Sequence, residues 1–300
     1  MSLDIKEKTS ELGFNLCGIA PVRTLDEHRH TLIAWLDNGF NAGMSYMKRN
    51  REIRLNPQLL LKDARSVIVT GLNYYRSYTP AEDKPVFSIY ALGKDYHKVV
   101  KDRLYKLLDY IRNEIPGTNG RVFVDSAPVL ERAWGAEAGL GWTGKNSLLI
   151  NSKTGSFFFI GILIIDKVLE YDKPIVNDYC GTCRKCIDAC PTGAILANRT
   201  IDANKCLSYL TIENEKDIPV EFAEKAGRRV FGCDKCQEVC PWNNKAKETN
   251  IKEFEPLPEI LEYTTETWGN ITEEEFSRIF KTSAVMRTGY EGFMRNLKSC

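Results

Sequence analysis

The chain has 300 residues, 43% of them hydrophobic, and a net charge of +1. That composition suits a protein that buries a real core and divides into more than one domain. The near-zero charge excludes a wholly basic nucleic-acid binder, so any RNA surface must be a local patch. The longest apolar run, Phe157 to Ile165, covers nine residues and is far short of the ~20 that cross a bilayer as a helix. The charged start, MSLDIKEKTSELGF, has no apolar core of the kind a secretion signal needs.

Along the chain, Ile5–Leu12 reads as a helix and Asn15–Ala20 as a short strand. Thr24–Asn38 reads as a helix stopped at Gly39, and the β-branched Ser66–Leu72 as a strand. Asp95–Ile115 is the clearest helix: Val100, Leu104, Leu108 and Ile111 form one stripe, and Pro116-Gly117 ends it. Arg121–Val124 is predicted as a strand, Val129–Ala138 as a helix, and Ser147–Ile150 and Phe157–Ile165 as strands. Helices near Glu273–Phe280 and Gly289–Leu297 close the chain. The alternation predicts an α/β domain over 1–170, then a cysteine-rich domain over 171–248 and a helical segment over 249–300.

Two cysteine runs dominate the second of these domains. Cys180, Cys183, Cys186 and Cys190 precede Pro191, in the spacing C-x2-C-x2-C-x3-C-P that holds bacterial iron–sulfur clusters. Cys233, Cys236 and Cys240 precede Pro241 and lack only a leading cysteine, and Cys206 lies between the runs. These eight thiols match two 4Fe-4S clusters. In two-cluster ferredoxins the fourth cysteine of each run crosses over. That logic assigns Cys180, Cys183, Cys186 and Cys240 to one cluster, and Cys190, Cys206, Cys233 and Cys236 to the other. Disulfides fit neither the size nor the pattern of the chain. Paired zinc sites are the competing reading, but four thiolates within eleven residues are too dense for one tetrahedral knuckle. Exposed clusters call for a reducing, cytoplasmic setting. Cys17, among apolar neighbours, reads as a small hydrophobe, and Cys300 carries no signal.

Gly139, Gly141 and Gly144 spell G-x-G-x-x-G, but the run follows a helix and precedes a strand, the reverse of a dinucleotide site. It reads as a helix end with glycines at positive φ, or as a place where backbone N–H groups approach a large ligand, with Lys145 and Asn146 beside it. Upstream, Asp125 falls where a strand meets a helix. Asp125 or Ser126 there reads either as an N-cap or as chemistry. His97 shares the stripe of Val100, Leu104 and Leu108, which predicts an inward-facing core histidine; contact with a cofactor or substrate is the alternative. His28 and His30 read as solvated. Lys225, Arg228, Arg229, Lys245 and Lys247 are the basic groups near the second run.

VDSAPVLERA, AGLGWTGKNSLLI and the cysteine runs together resemble the epoxyqueuosine reductase family. YALGKDYHK, MSYMKRN and RTGYEGFMRN extend the likeness over almost the whole chain. The resemblance implies an oxidoreductase of tRNA queuosine biosynthesis, with a reductive-dehalogenase-like α/β domain that holds cobalamin without a histidine or benzimidazole ligand to cobalt. The absence of D-x-H-x-x-G agrees with that. It implies Asp125 as the acid, with Glu131 second although it reads as an exposed helical carboxylate. It implies His97, Gly141, Trp142, Thr143, Lys145, Asn146 and Ser147 as cofactor contacts. Partners would be tRNA carrying epoxyqueuosine and an electron donor such as ferredoxin or flavodoxin; a monomer off the membrane is expected. Many members carry a further C-terminal repeat that grips tRNA, and this chain stops near 300. A corrinoid reductase of small molecules, a non-catalytic electron carrier and a zinc nucleic-acid module are the alternatives.

Overall fold

A computed structural model describes residues 1–299; Cys300 lies outside the described residues. Helix α1 (Ser2–Glu11) leads into strand β1 (Leu16–Pro21), and helices α2 (Arg29–Asp37) and α3 (Arg51–Leu55) precede strand β2 (Ser66–Asn73). Strand β3 (Val86–Phe87), helix α4 (Tyr96–Glu114), strand β4 (Gly120–Phe123) and helix α5 (Glu131–Glu137) follow. A hairpin of β5 (Trp142–Thr143) and β6 (Leu149–Ile150) precedes the long strand β7 (Phe158–Ile165), and β8 (Arg229–Phe231) lies among the cysteines.

The main sheet has the order β1-β2-β7-β4 and every pairing is antiparallel. Its central strands are apolar on both faces, so both faces need a cover. Ile68 and Leu163 point to the side where α4 buries Val100, Leu104, Leu108 and Ile111. Val67, Val69, Ile162 and Ile164 point to the other, against Ala133 and Trp134 of α5. The period of two in the strands and the stripe on α4 therefore meet as the sequence predicts. Each such side chain removed from water contributes ~1.5–3 kcal/mol.

The cysteine segment and the tail join this body at β3, which pairs in parallel with β8. Phe87 of β3 packs with Trp268, Phe280 and Phe293 of the tail in a third core. The tail helix Glu273–Phe280 starts with a capping box between Thr272 and Glu275. The tail also holds the entrance to α4: Lys94 N–H donates to Glu253 O at 2.7 Å and Asp95 N–H to Thr282 O at 2.6 Å.

Three predicted boundaries move. The helix expected from Thr24 starts at Arg29 after a 3-10 turn over Asp26–His28, because Leu25 is buried and its N–H is tied to Leu55 O at 2.9 Å. The helix expected from Val129 starts at Glu131, since Val129 N–H closes a tight turn onto Ala127 O at 2.8 Å. The strand expected from Ser147 shortens to Leu149–Ile150, because Ser147 takes a left-handed φ of 61°. Among the described residues no helix is long and apolar enough to cross a membrane.

Candidate functional site

Asp125 sits in the loop after β4 with φ at 54°, a left-handed conformation that a non-glycine residue adopts only when its surroundings enforce it. Its N–H donates to Glu131 Oε1 at 2.5 Å. Its Oδ2 accepts the Tyr96 hydroxyl at 2.5 Å and lies 3.6 Å from His97 Nε2. The other ring nitrogen of His97, Nδ1, lies 2.7 Å from Asp95 Oδ1, and that same oxygen caps α4 by accepting His97 N–H at 2.9 Å. Tyr96 is fixed by its stack on Phe159 of β7, with centroids 4.2 Å apart and planes 2° from parallel. A carboxylate, an imidazole and a second carboxylate thus form one chain, with a phenol alongside.

The Asp125 side chain is 63% exposed although atoms crowd it on several sides, the mark of a group on a concave wall. The His97 imidazole 3.6 Å away holds the Asp125 carboxyl below the usual range, against burial and with help from Tyr96 and Arg132. Burial opposes a charge on His97, but its bonds to Asp125 and Asp95 outweigh it and lift the ring to about 9. Burial, then the charge of Asp125, pushes Glu131 up to about 8. At neutral pH the wall therefore holds an ionised Asp125 between a protonated imidazole and a protonated carboxyl.

These facts correct three readings. His97 is half-buried and paired with carboxylates, not a core histidine, because Asp95 and Asp125 flank the first turn of α4. Ser126 caps no helix: its hydroxyl donates to Val124 O at 3.1 Å and accepts Lys101 Nζ at 3.1 Å. Glu131 is not a free helical carboxylate, since it receives the Asp125 N–H. Sequence reasoning also missed Tyr96, Tyr46, Glu213 and Arg287. Arg287 binds Glu213 through two bonds of 2.9 and 2.7 Å. Burial, then the charges of Glu213 and Asp125, pushes the Tyr46 hydroxyl up. Tyr46 and Arg287 come from MSYMKRN and RTGYEGFMRN, stretches whose convergence no spacing in the sequence could reveal.

The loop from Gly141 to Ser147 lies between this wall and the thiols. Arg132 donates to Ser147 O at 2.6 Å on one side. On the other, Lys145 Nζ donates to Gly181 O at 2.6 Å and Cys183 O at 2.9 Å, and Asn146 Nδ2 to Cys236 O at 3.5 Å. Trp142 Nε1 lies 3.5 Å from Cys180 Sγ, and Thr143 O accepts Arg199 Nε at 3.1 Å. Of the three glycines only Gly139 needs positive φ, at 74°. At Gly141 the reason is space: a Cβ would stand 2.1 Å from Ile150 O.

The thiols gather as two groups. After burial, the charges that raise Cys186 are those of Cys180 and Cys240, and those that raise Cys240 include Cys180 and Cys183. Cys206 feels Cys190, Cys233 feels Cys206, and Cys236 feels Cys233 and Cys206. Cys236 also feels Cys186, so the groups are neighbours. A cavity of about 270 Å³ opens among Cys180, Cys183, Cys186 and Cys240, walled by Trp242 and Tyr179. Among the described residues no three metal-binding side chains surround a single ion. Thiols spread about a cavity fit an inorganic cluster, whose several irons each need one sulfur, better than one zinc.

With this geometry established, the comparisons with known proteins can be read. Residues 179–243 match a 4Fe-4S double cluster binding domain, and residues 54–126 match the domain model of Epoxyqueuosine reductase QueG. An epoxyqueuosine reductase of Cellulophaga algicola is 48% identical over 98% of this chain and 95% of its own. A crystal structure of epoxyqueuosine reductase with an epoxyqueuosine-modified tRNA-Tyr stem loop superposes with a TM-score of 0.91 at 29% identity, over 99% of this chain and 80% of that one. A Bacillus subtilis epoxyqueuosine reductase whose catalytic aspartate loop is swung out of the active site gives 0.91 at 30% identity, over 99% and 80%. A catabolic reductive dehalogenase shares the fold alone, with a TM-score of 0.50 and 16% identity over 98% of this chain and 36% of that one. The chain is an α/β domain of that fold followed by a double-cluster domain and a helical tail, and it belongs to the epoxyqueuosine reductase family.

Proposed function

We propose that this chain removes the epoxide oxygen from epoxyqueuosine at the wobble position of tRNA, giving queuosine. The observation that carries this reading is one continuous body in which an enforced acid site and two groups of cluster-type thiols share the Gly141–Ser147 loop, in a chain 48% identical to an epoxyqueuosine reductase. When bound, two 4Fe-4S clusters and cobalamin supply the two electrons that the reaction consumes. Cys180, Cys183, Cys186 and Cys240 hold one cluster, and Cys190, Cys206, Cys233 and Cys236 the other. His97 and the loop residues Gly141, Trp142, Thr143, Lys145, Asn146 and Ser147 would hold the corrinoid. The available residues fit a cobalt without a histidine ligand: both ring nitrogens of His97 face carboxylates, His28 is half-exposed beside Glu27, and His30 is exposed.

Turning an epoxide into an alkene also consumes two protons and releases water. Asp125 delivers them at the exposed end of the chain of groups. It is held ionised at rest, so its proton comes through His97, which Asp95 orients and keeps charged up to about pH 9. Glu131, neutral up to about pH 8, holds the Asp125 backbone in place. Tyr96 fixes the oxygen Oδ2 and leaves Oδ1 for the substrate. In this reading residues 1–170 are the substrate domain, 171–248 the cluster domain and 249–300 the tail. The protein acts as a cytoplasmic monomer fed by ferredoxin or flavodoxin.

The test mixes anaerobically reconstituted protein with an anticodon stem loop carrying epoxyqueuosine, a strong reductant, and cobalamin present or omitted. Mass spectrometry of the nucleoside should show loss of one oxygen only with cobalamin. Intact epoxide on both the stem loop and full-length tRNA, with clusters and cobalamin bound, would overturn the assignment.

A further inference from the structure

The chain after Tyr46 carries Lys48, Arg49 and Arg51, all exposed. Among the described residues none of these three forms an ion pair or a side-chain hydrogen bond. The acid beside them, Glu52, is already engaged by Arg29 through bonds of 2.6 and 3.0 Å. Between this segment and α2 lies a hollow of about 580 Å³, lined by the apolar Leu32, Ile33 and Leu55, by Lys48 and Arg51, and by the Arg29–Glu52 ion pair. Apolar side chains beside cations match the two parts of a nucleotide, a flat base and a phosphate.

Beneath the strip, Arg54 is only 9% exposed. Its Nη2 donates to Tyr46 O at 3.3 Å, its Nε has no partner, and no carboxylate of the described residues lies within ion-pair distance. A guanidinium buried without a counter-charge is costly, and a bound anion would offset that cost. The segment is also tied to the cysteine half, where Tyr209 Oη accepts Gly43 N–H at 2.8 Å. By contrast, the basic groups that stand out near the second cysteine run are partly spent on structure: Arg228 binds the carbonyls of Ala81 and Lys84, and Arg229 that of Ala226.

We infer that Lys48, Arg49 and Arg51, backed by Arg54, form the site that grips backbone phosphates of the anticodon stem loop. This rests on the reading that RNA is the substrate.

The experiment measures binding of a labelled, unmodified anticodon stem loop to the reconstituted full chain by fluorescence anisotropy across a salt series. The triple variant Lys48→Gln, Arg49→Gln, Arg51→Gln should weaken binding at least tenfold. It should also lower the slope of log affinity against log salt by about 2, at ~0.7 per single-strand phosphate contact. Arg54→Met should weaken binding with a smaller change in slope, and Arg54→Lys should recover part of it. The variant Lys225→Gln, Lys245→Gln, Lys247→Gln should bind within twofold of the parent. Iron content and thermal midpoint, read for every variant, separate lost binding from lost folding. A triple variant that binds like the parent with an unchanged slope overturns the inference, and epoxide reduction by the parent would then still stand. A parent that binds RNA through the strip yet reduces no epoxide would retain the site and remove the proposed reaction.

Discussion

The acid wall and the thiol half differ in what each needs to be electrostatically complete. Around Asp125 the protein alone balances every charge it gathers: His97 sits between two carboxylates, and Glu131 stays neutral up to about pH 8. In the thiol half, burial works against the ionised form the chemistry requires. It pushes Cys233 up to about 11 and Cys236 well above the ordinary thiol range, and neighbouring thiolates add to the effect. Iron ionises a thiol outright. One half is therefore preorganised by folding, while the other is finished by its metal. A variant in the first should change rate and pH dependence; a variant in the second should change cofactor content.

The largest effect should come from the thiol half. Cys206→Ala removes a proposed ligand of the more enclosed group, so iron and sulfide analysis should find the content halved and single-turnover reduction undetectable. Full iron retention would show that Cys206 binds no cluster. Next, Asp125→Asn should keep iron and cobalamin binding while turnover falls by the ~10²–10⁴-fold of a lost general acid. Near-normal turnover there would make Asp125 structural and erase the contrast between the halves. His97→Gln should cost less than the ~100-fold lower end of that range but should reshape the pH profile. In the parent the rate should fall as pH rises through about 8 to 9, where Glu131 and then His97 lose their protons; in the variant the limb near 9 should vanish.

His97 also predicts a stability trend. Its folded pKa is raised, so the stabilisation is fully present below the unfolded value of ~6.5 and fades as pH rises through about 9. Thermal midpoints across that window should converge for parent and His97→Gln. Smallest in chemistry is Gly141→Ala at the joint of the two halves. Its methyl would meet Ile150 O at 2.1 Å, so unfolding should show a loss of ~1–3 kcal/mol from overpacking. An unchanged midpoint would mean that the hairpin opens freely.

Particular residues show why one half reads more readily than the other. The thiols stand within two short stretches plus Cys206, so their spacing is itself the signal. The stripe on α4 and the apolar run of β7 were equally plain, because burial imposes periods of 3.6 and 2 on local sequence. Asp125 was visible at a strand end, but its partners were not. Tyr96 reaches it because α4 crosses β7 and stacks that ring on Phe159. The same His97 that reads as core from its stripe is paired with Asp95 and Asp125, since period alone does not say which carboxylates flank a first turn.

The sequence by itself determined the longer elements, the cluster-type thiols and the family, all of which depend on local pattern and covalent spacing. Tertiary structure alone decided the antiparallel order β1-β2-β7-β4, the chain of Asp95, His97, Asp125 and Tyr96, the bond from Glu131 that enforces the Asp125 loop, and the unpaired Arg54 beneath a cationic strip. Those features depend on which distant surfaces are buried against each other, and charge balance within a hollow exists only once the walls have met.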